Sequence, residues 1–521
     1  MTIQGAILVG RDERRREPGF AGVAAATGES FGPPVSEANE QDVSDACALA
    51  EQAIEPFGTL DPEARAAFIE RIADAIIGIG DLLVETAMTE SGLPRARLQG
   101  ERMRTCNQLR MFAAEVRRGQ WLDATIDPAL PDRSPPRGDL RRVNVPLGPV
   151  AVFGASNFPL AFSVAGGDTA SAFAAGCPVV VKGHPAHPGT GELVARAIRD
   201  AVQQSGLPEG VFSYLPGKGN ALGGALVADP RIKAVGFTGS RGGGLALVGI
   251  AAKRPEPIPV YAEMSSINPV VLLPAALASR AEALAPAFVA SLTLGAGQFC
   301  TNPGLVIALD GPDLDRFIAA AAQVLAEAAP GTMLTPGIAA SYQKGVAALD
   351  SHAAARRIAT GKTELGGAAL FETTASAFEG DEALASEVFG ASSLVVRCKD
   401  VDDMRRVLKG LEGQLTVTLH MDDADAEMAA AILPLLRDRA GRVLANGWPT
   451  GVEVTHAMVH GGPWPSTSDP RTTSVGTLAM MRFLRPVCFQ DLPDALLPPP
   501  LQASNPWGIP RRIEGEWERG A

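Results

Sequence analysis

VPLGPVAVFGASNFPL, residues 145–160, is the stretch on which the fold turns. An apolar run, Val150–Phe153, passes directly into a Gly/Ser/Asn turn. A short continuous apolar run bounded by turn residues reads as a strand buried on both faces. The same grammar repeats downstream. Gly166–Ala175 reads as a small-residue helix, and Cys177–Lys182 (CPVVVK) as a second buried strand. Thr190–Ser205 follows as a helix, Gly210–Leu215 as a strand, and Lys233–Thr238 (KAVGFT) as another strand that leads into Gly239-Ser240 and a helix. Strands alternating with helices build parallel βαβ units with right-handed crossovers. The chain is therefore α/β, with a parallel Rossmann-like sheet. Ligands of such sheets sit beyond the carboxyl ends of the strands. Asn157, Lys182, Gly239 and Ser240 all fall at such ends. No GxGxxG fingerprint follows these strands; Arg241-Gly242-Gly243-Gly244 is only a loose glycine run.

Upstream, helical signals dominate from Ser36. Asp61-Pro62-Glu63 combines an N-cap, a first-turn proline and a first-turn acid. Phe68, Ile69, Ile72 and Ile76 then recur at helical spacing, and a second helix runs through Glu101–Arg118. Residues 1–40 are assigned no chemistry. The proline-rich stretch 123–145 reads as a loop plus an extended arm, either a strand added to a partner's sheet edge or a simple linker. Downstream, Val260–Pro274 carries Glu263 just after a short strand, and a helix over Ala281–Leu294 leads into SLTLGAGQFCTNPG, residues 291–304. Leu305–Leu309 and Asp313–Ala328 pair another strand with a helix. SEVFGASSLVV, 386–396, sets an acid and an aromatic before a strand. Asn446–Gly451 and His460–Ser474 are long polar loops, and Gln490–Pro510 reads as an extended tail on a surface.

The 521 residues exceed one ordinary core and imply two or three domains. With 46% hydrophobic and 20% charged residues the chain is globular, and its net charge of -12 argues against a nucleic-acid surface. No uncharged apolar run of bilayer length and no signal-peptide pattern stand out, so the sequence reads as cytoplasmic, without a membrane partner. The six cysteines are scattered without a CxxC pair, and the six histidines form no metal-ligand pattern, so no metal is expected. His456 and His460 in particular lack an acidic or thiol neighbour in sequence. Cys300 is different, because small residues before it allow a tight turn and close ligand approach. It is a candidate nucleophile, with a buried inert thiol as the alternative.

Several ordered segments, spanning roughly Ser36 to Gln490, resemble the aldehyde dehydrogenase superfamily. ASNFP at 155–159 resembles its strand-end Asn-Phe-Pro motif and VKGHPAHP at 181–188 its cofactor segment; FTGS at 237–240 matches the turn against the cofactor diphosphate. AEMSSINP at 262–269 resembles its glutamate motif, GQFC at 297–300 its nucleophile motif, and EVFG at 387–390 its Glu-x-Phe-Gly motif. The resemblance implies a cofactor domain over 1–122 and 146–262, a catalytic domain over 263–485, and an oligomerisation arm and tail over 123–145 and 486–521. It implies a homodimer or homotetramer. It casts Cys300 as nucleophile, the Asn157 amide and the Cys300 N–H as oxyanion donors, and Glu263 as the base for thioester hydrolysis, with a raised pKa. Lys182, His184, Lys218, Gly239, Ser240, Glu387 and Phe389 would bind the cofactor. Pro185 replaces the family's usual glutamate, which would repel a 2'-phosphate, so NADP is preferred and NAD is a second acceptor. His187 reads as a packing residue.

The branch that these motifs resemble most holds NADP-using 2,5-dioxopentanoate (α-ketoglutaric semialdehyde) and fatty aldehyde dehydrogenases, and the first is the expected activity. An arginine at the aldehyde entrance would suit a distal carboxylate, and Arg471 and Trp464 are the candidates there, with packing the alternative for Trp464. A fatty aldehyde, an acyl-phosphate or acyl-CoA product, and a catalytically dead cofactor-binding relative remain as alternatives.

Overall fold

The computed structural model describes residues 2–362 and 367–518. Met1, residues 363–366 of the expected catalytic domain and residues 519–521 of the expected tail lie outside the described residues. Two seven-stranded sheets and a smaller five-stranded sheet organise the chain.

The first sheet runs in the order Val260–Glu263, Ala234–Thr238, Val150–Phe153, Val179–Gly183, Phe212–Pro216, Ile7–Val9, Asp12–Arg14. Its first five strands are mutually parallel, and the last two close the edge as an antiparallel pair. The N-terminal segment, given no role from sequence, thus completes this sheet. The helix Pro62–Gly78 begins as expected, with the Asp61 side chain accepting from the Ala64 N–H at 2.9 Å. It packs with Arg95–Arg118 and Pro188–Gln204 over one face of the sheet, burying Phe57, Phe68, Phe112 and Phe173 in a single cluster.

The second sheet has the order Arg356–Thr360, Ala369–Thr374, Ser392–Cys398, Leu305–Leu309, Pro269–Leu272, Gln414–His420, Ala440–Ala445. All its pairings are parallel except that of the first strand. One of its cover helices, Pro274–Thr293, is long and apolar enough with its terminal turn to span a membrane, but it carries Arg280 and Glu282 and is no uncharged run. Half of the apolar window is buried, and the helix packs closely on Pro312–Glu327. Its hydropathy is that of a core element.

The third sheet joins Thr125–Asp127 and Leu140–Pro146 to Leu484–Gln490, Arg512–Ile513 and Glu516–Trp517. The proline-rich segment before its last strands does not simply lie on a surface: Leu497, Leu501 and Ile509 are buried in the main cluster.

Candidate active site

The two large sheets meet along the chain at Glu263. This residue ends the last parallel strand of the first sheet, and six residues later Pro269, just after Asn268, opens a strand of the second. Between them the polar loop 460–474 lies against the Val260–Glu263 strand. Ser468 N donates to Ala262 O and Met264 N to Ser466 O, so the loop extends the sheet in place of another strand. Thr473 Oγ1 accepts the His460 N–H at 2.8 Å, and Ser474 Oγ donates to Glu263 Oε2 at 2.7 Å. These contacts bring His460 to the centre.

Cys300 follows a turn of Gly295, Ala296 and Gly297, all with positive φ. Positive φ is unfavourable for alanine, so Ala296 stores backbone strain beside the thiol. At Gly297 a side chain is excluded outright, since a Cβ there would lie 2.3 Å from Ala391 N. Asn268 clamps the turn from the other side, donating from Nδ2 to Cys300 O at 2.8 Å and to Asn302 O at 2.9 Å. Asn157 Nδ2 donates to Gln298 O at 2.9 Å, which places the amide against the same turn. The Cys300 backbone N–H makes no hydrogen bond within the described residues.

The thiol, the imidazole and the carboxylate converge. Cys300 Sγ is 3.4 Å from His460 Nε2, and that nitrogen is 2.9 Å from Glu263 Oε1. The ring nitrogen is aligned on sulfur, and Glu263 Oε1 receives no well-aligned hydrogen bond although it is buried. Burial first, and then the Glu263 charge, push the Cys300 thiol well above its ordinary value. Burial would also raise Glu263, but the charge of the adjacent His460 imidazole, with the Ser474 hydrogen bond, outweighs it. The carboxyl is held below its ordinary value. This reverses the raised value expected from sequence, because the partner imidazole stands far away in the chain. His460 carries no sequence signal for the same reason, apart from its place in an oversized polar loop.

A protein-family description, "Aldehyde dehydrogenase family", matches residues 14–483. The chain belongs to the aldehyde dehydrogenase family. It is 58% identical to "Alpha-ketoglutaric semialdehyde dehydrogenase 2" of Azospirillum brasilense, over 99% of this chain and 100% of that one. It is 49% identical to the "Alpha-ketoglutaric semialdehyde dehydrogenase" of Acinetobacter baylyi, over 92% of both. Among solved structures it is similar to aldehyde dehydrogenase C of Pseudomonas syringae in complex with NAD+ and octanal, at TM-score 0.80 and 22% identity over 95% of this chain and 98% of that one. The aldehyde dehydrogenase KauB of Pseudomonas aeruginosa gives TM-score 0.79 and 20% identity over 94% and 97%. These last two likenesses concern the fold.

The residues present fit the dinucleotide that the family uses. A cavity of about 1070 Å³ is lined by Ser240, Gly242, Ser266 and Glu387. It opens at the N-terminus of the Arg241–Ala252 helix, where Ser240 Oγ accepts the Gly243 N–H and a Cβ on Gly242 would meet nothing within 4 Å. Such a bare, positive helix end suits a diphosphate. Gly239, the residue before Ser240, does not line it; a Cβ there would lie 2.7 Å from the tip of the Phe237 ring. A second cavity, about 790 Å³, is lined by His184, Pro185 and Lys218. Burial lowers Lys182 to about 8. His184 is held well below its ordinary value by burial and by the neighbouring His187 and Lys182, so it offers a neutral ring and no charge to a phosphate. His187 is buried against Ala155 O at 3.0 Å, a packing role. Arg471 does not reach the site: its side chain is 85% exposed and pairs with Asp469. Trp464 is 52% exposed.

Burial also raises the Glu387 carboxyl to about 8, against one opposing backbone bond from Ser266; Phe389 lines a small adjoining cavity. The folded protein thus keeps a proton on Glu387 that the unfolded chain releases above its ordinary 4.5. Stability from this group falls as pH rises from that value to about 8 and stays low above it. Glu387→Gln should therefore match the parent below pH 4.5 and exceed it by roughly 1–3 kcal/mol above pH 8, while weakening dinucleotide binding. Urea melts across pH, with and without NADP+, measure both effects.

Proposed function

We propose that this aldehyde dehydrogenase oxidises 2,5-dioxopentanoate to 2-oxoglutarate. The single observation that carries the substrate is the full-length identity of 58% to a protein named for that semialdehyde. Two half-buried arginines on the Arg95–Arg118 helix, Arg104 and the Glu101-paired Arg97, support an acid-bearing aldehyde. Arg104 lies over the Phe162 ring at 5.0 Å, and Phe162 in turn packs on the His460 ring at 6.0 Å. Its Nε and Nη2 donate to Val452 O, and its Nη1 is buried without a partner. Arg97 is wedged over Phe158 and Phe299 at 4.6 and 4.7 Å, beside Asn157 and Cys300 in the chain. An orphaned guanidinium N–H is costly unless something fills it, and a distal carboxylate is its natural complement.

The chemistry follows from the three converging groups. Cys300 is the nucleophile, and His460 Nε2 takes its proton as sulfur adds to the aldehyde carbon. Glu263 stabilises the imidazolium. The Asn157 amide and the Cys300 N–H hold the oxyanion of the thiohemiacetal. NAD(P)+, when bound, is the two-electron acceptor that turns this adduct into a thioester. The imidazolium then releases its proton to solvent, and once sulfur is acylated it no longer holds the imidazole, so the Glu263–His460 pair can take the proton of the attacking water. Lys182, Ser240, Glu387 and Phe389 bind the dinucleotide. NADP is preferred over NAD, supported by Lys182, Lys218 and the proline at 185. Copies assemble as a homodimer or homotetramer through the exposed Leu484–Gln490 edge of the small sheet.

The test is a panel of ω-carboxy and plain alkanals, compared by kcat/KM with each dinucleotide. The C5 keto-acid aldehyde should lead, and a lead by long alkanals would refute the substrate. Arg104→Met should cut kcat/KM for 2,5-dioxopentanoate by about 10- to 100-fold and collapse its advantage over pentanal. An unchanged ratio would exclude Arg104 as the carboxylate's partner.

A further inference from the structure

We propose that Cys300, His460 and Glu263 together form a binding site for a thiophilic divalent cation of the Zn²⁺ class, and that its occupancy switches the enzyme off. The three donor atoms lie within 4.8 Å of one another. His460 and Glu263 side chains are 1% and 3% exposed, so the donors face inward on a space from which bulk solvent is largely excluded. Tetrahedral Zn²⁺ with bond lengths of about 2.3 Å to sulfur and about 2.0–2.2 Å to nitrogen and oxygen places S and N about 3.5 Å apart and N and O about 3.4 Å apart. The observed separations are 3.4 Å and 2.9 Å, so the nitrogen–oxygen pair need open by about half an ångström, while sulfur and oxygen lie within 4.8 Å.

A second observation points the same way. Glu263 Oε1 is buried and receives no well-aligned hydrogen bond, although the imidazole nitrogen stands 2.9 Å away. Sulfur and the ring nitrogen bond each other, but Oε1 keeps lone pairs that no donor meets beside those two ligand atoms, which is the condition that a cation relieves. Ser474 Oγ donates to the other carboxylate oxygen and fixes its plane. Three protein ligands leave one position for water, so the site is not a closed structural centre. On binding, the Cys300 S–H bond breaks, its proton passes to solvent, and a sulfur–metal bond replaces one aqua ligand of the ion; no electron is transferred. The metallated sulfur cannot add to an aldehyde. Inhibition rests on the proposed role of Cys300, but binding does not.

Co²⁺ is the probe, because its thiolate complexes absorb in the near ultraviolet. Titration of the purified, cofactor-free enzyme should give one such band per chain at one equivalent, removed by EDTA or by excess Zn²⁺. The exposed Cys488 is the competing thiol. The band should survive Cys488→Ser and vanish in Cys300→Ser. His460→Asn and Glu263→Gln, checked for native melting, should each weaken Co²⁺ binding at least about tenfold. In parallel, Zn²⁺ should inhibit turnover with the same stoichiometry, reversibly. A band that persists in Cys300→Ser, or affinity unchanged in both ligand variants, would overturn the site. The optical signal needs no aldehyde, so failure of the substrate panel and failure of the cation site are separate results.

Discussion

Cys300→Ala should abolish NAD(P)H formation, lowering kcat by about 10⁴-fold or more, while the dissociation constant of NADP+ stays within about threefold. The split is expected because the thiol and the dinucleotide are held by different elements. Cys300 rests on the Gly295–Gly297 turn, clamped by Asn268 and Asn157, whereas the cavity beside Ser240, Gly242 and Glu387 is built from the first sheet and the Glu387 loop. Alanine leaves the turn's backbone bonds in place, so the fold should persist. Fluorescence titration with NADP+ and steady-state assays on one preparation measure both quantities. Residual turnover above about one per cent would mean that another group attacks the aldehyde. Loss of binding together with turnover would point to a collapsed site.

Glu263→Gln should reduce steady-state turnover by about 10²- to 10⁴-fold, yet leave a first, rapid release of one NAD(P)H per active chain. Glutamine keeps the shape and the Ser474 contact but cannot take the proton of water, so the acyl-enzyme should accumulate on Cys300 and be visible as added mass. A variant with no burst would assign Glu263 to the first half-reaction instead. His460→Asn provides the contrast. Its ring nitrogen stands 3.4 Å from sulfur, so the burst itself should slow. pH adds an independent reading. Glu263 is held below its ordinary 4.5 largely by His460, so the hydrolytic step in the parent should hold its rate down to that pH or lower. Without the imidazole, burial dominates, the carboxyl rises, and the acid limb of the profile should move to higher pH.

Much of this arrangement could be read in one dimension. The strand ends at Asn157, Lys182, Gly239 and Glu263 follow from apolar runs that stop at turn residues, since strand length and turn chemistry are local properties. The Asp61 cap is local in the same sense, and the Gly295–Gly297 turn made Cys300 a candidate nucleophile, with a buried inert thiol left open as the alternative. Other features were illegible because they arise from distance in the chain. His460 meets Cys300 across 160 residues, through a loop whose course is set by backbone bonds to the Val260–Glu263 strand. Nothing in HGGPWPSTSDPRTTS announces that course. The same contact inverts the expected pKa of Glu263. Arg471 was named for its charge and lies in solvent, while Arg104 and Arg97 sat unnoticed in an ordinary helical pattern. The sequence by itself determined the parallel sheet, the family motifs and the tight turn before Cys300, because these rest on near-neighbour sterics and periodicity. Only the tertiary structure decided which imidazole and carboxylate face that thiol, and that Arg104 near it keeps an unpartnered N–H, because electrostatics act between neighbours in space, whatever their separation along the chain.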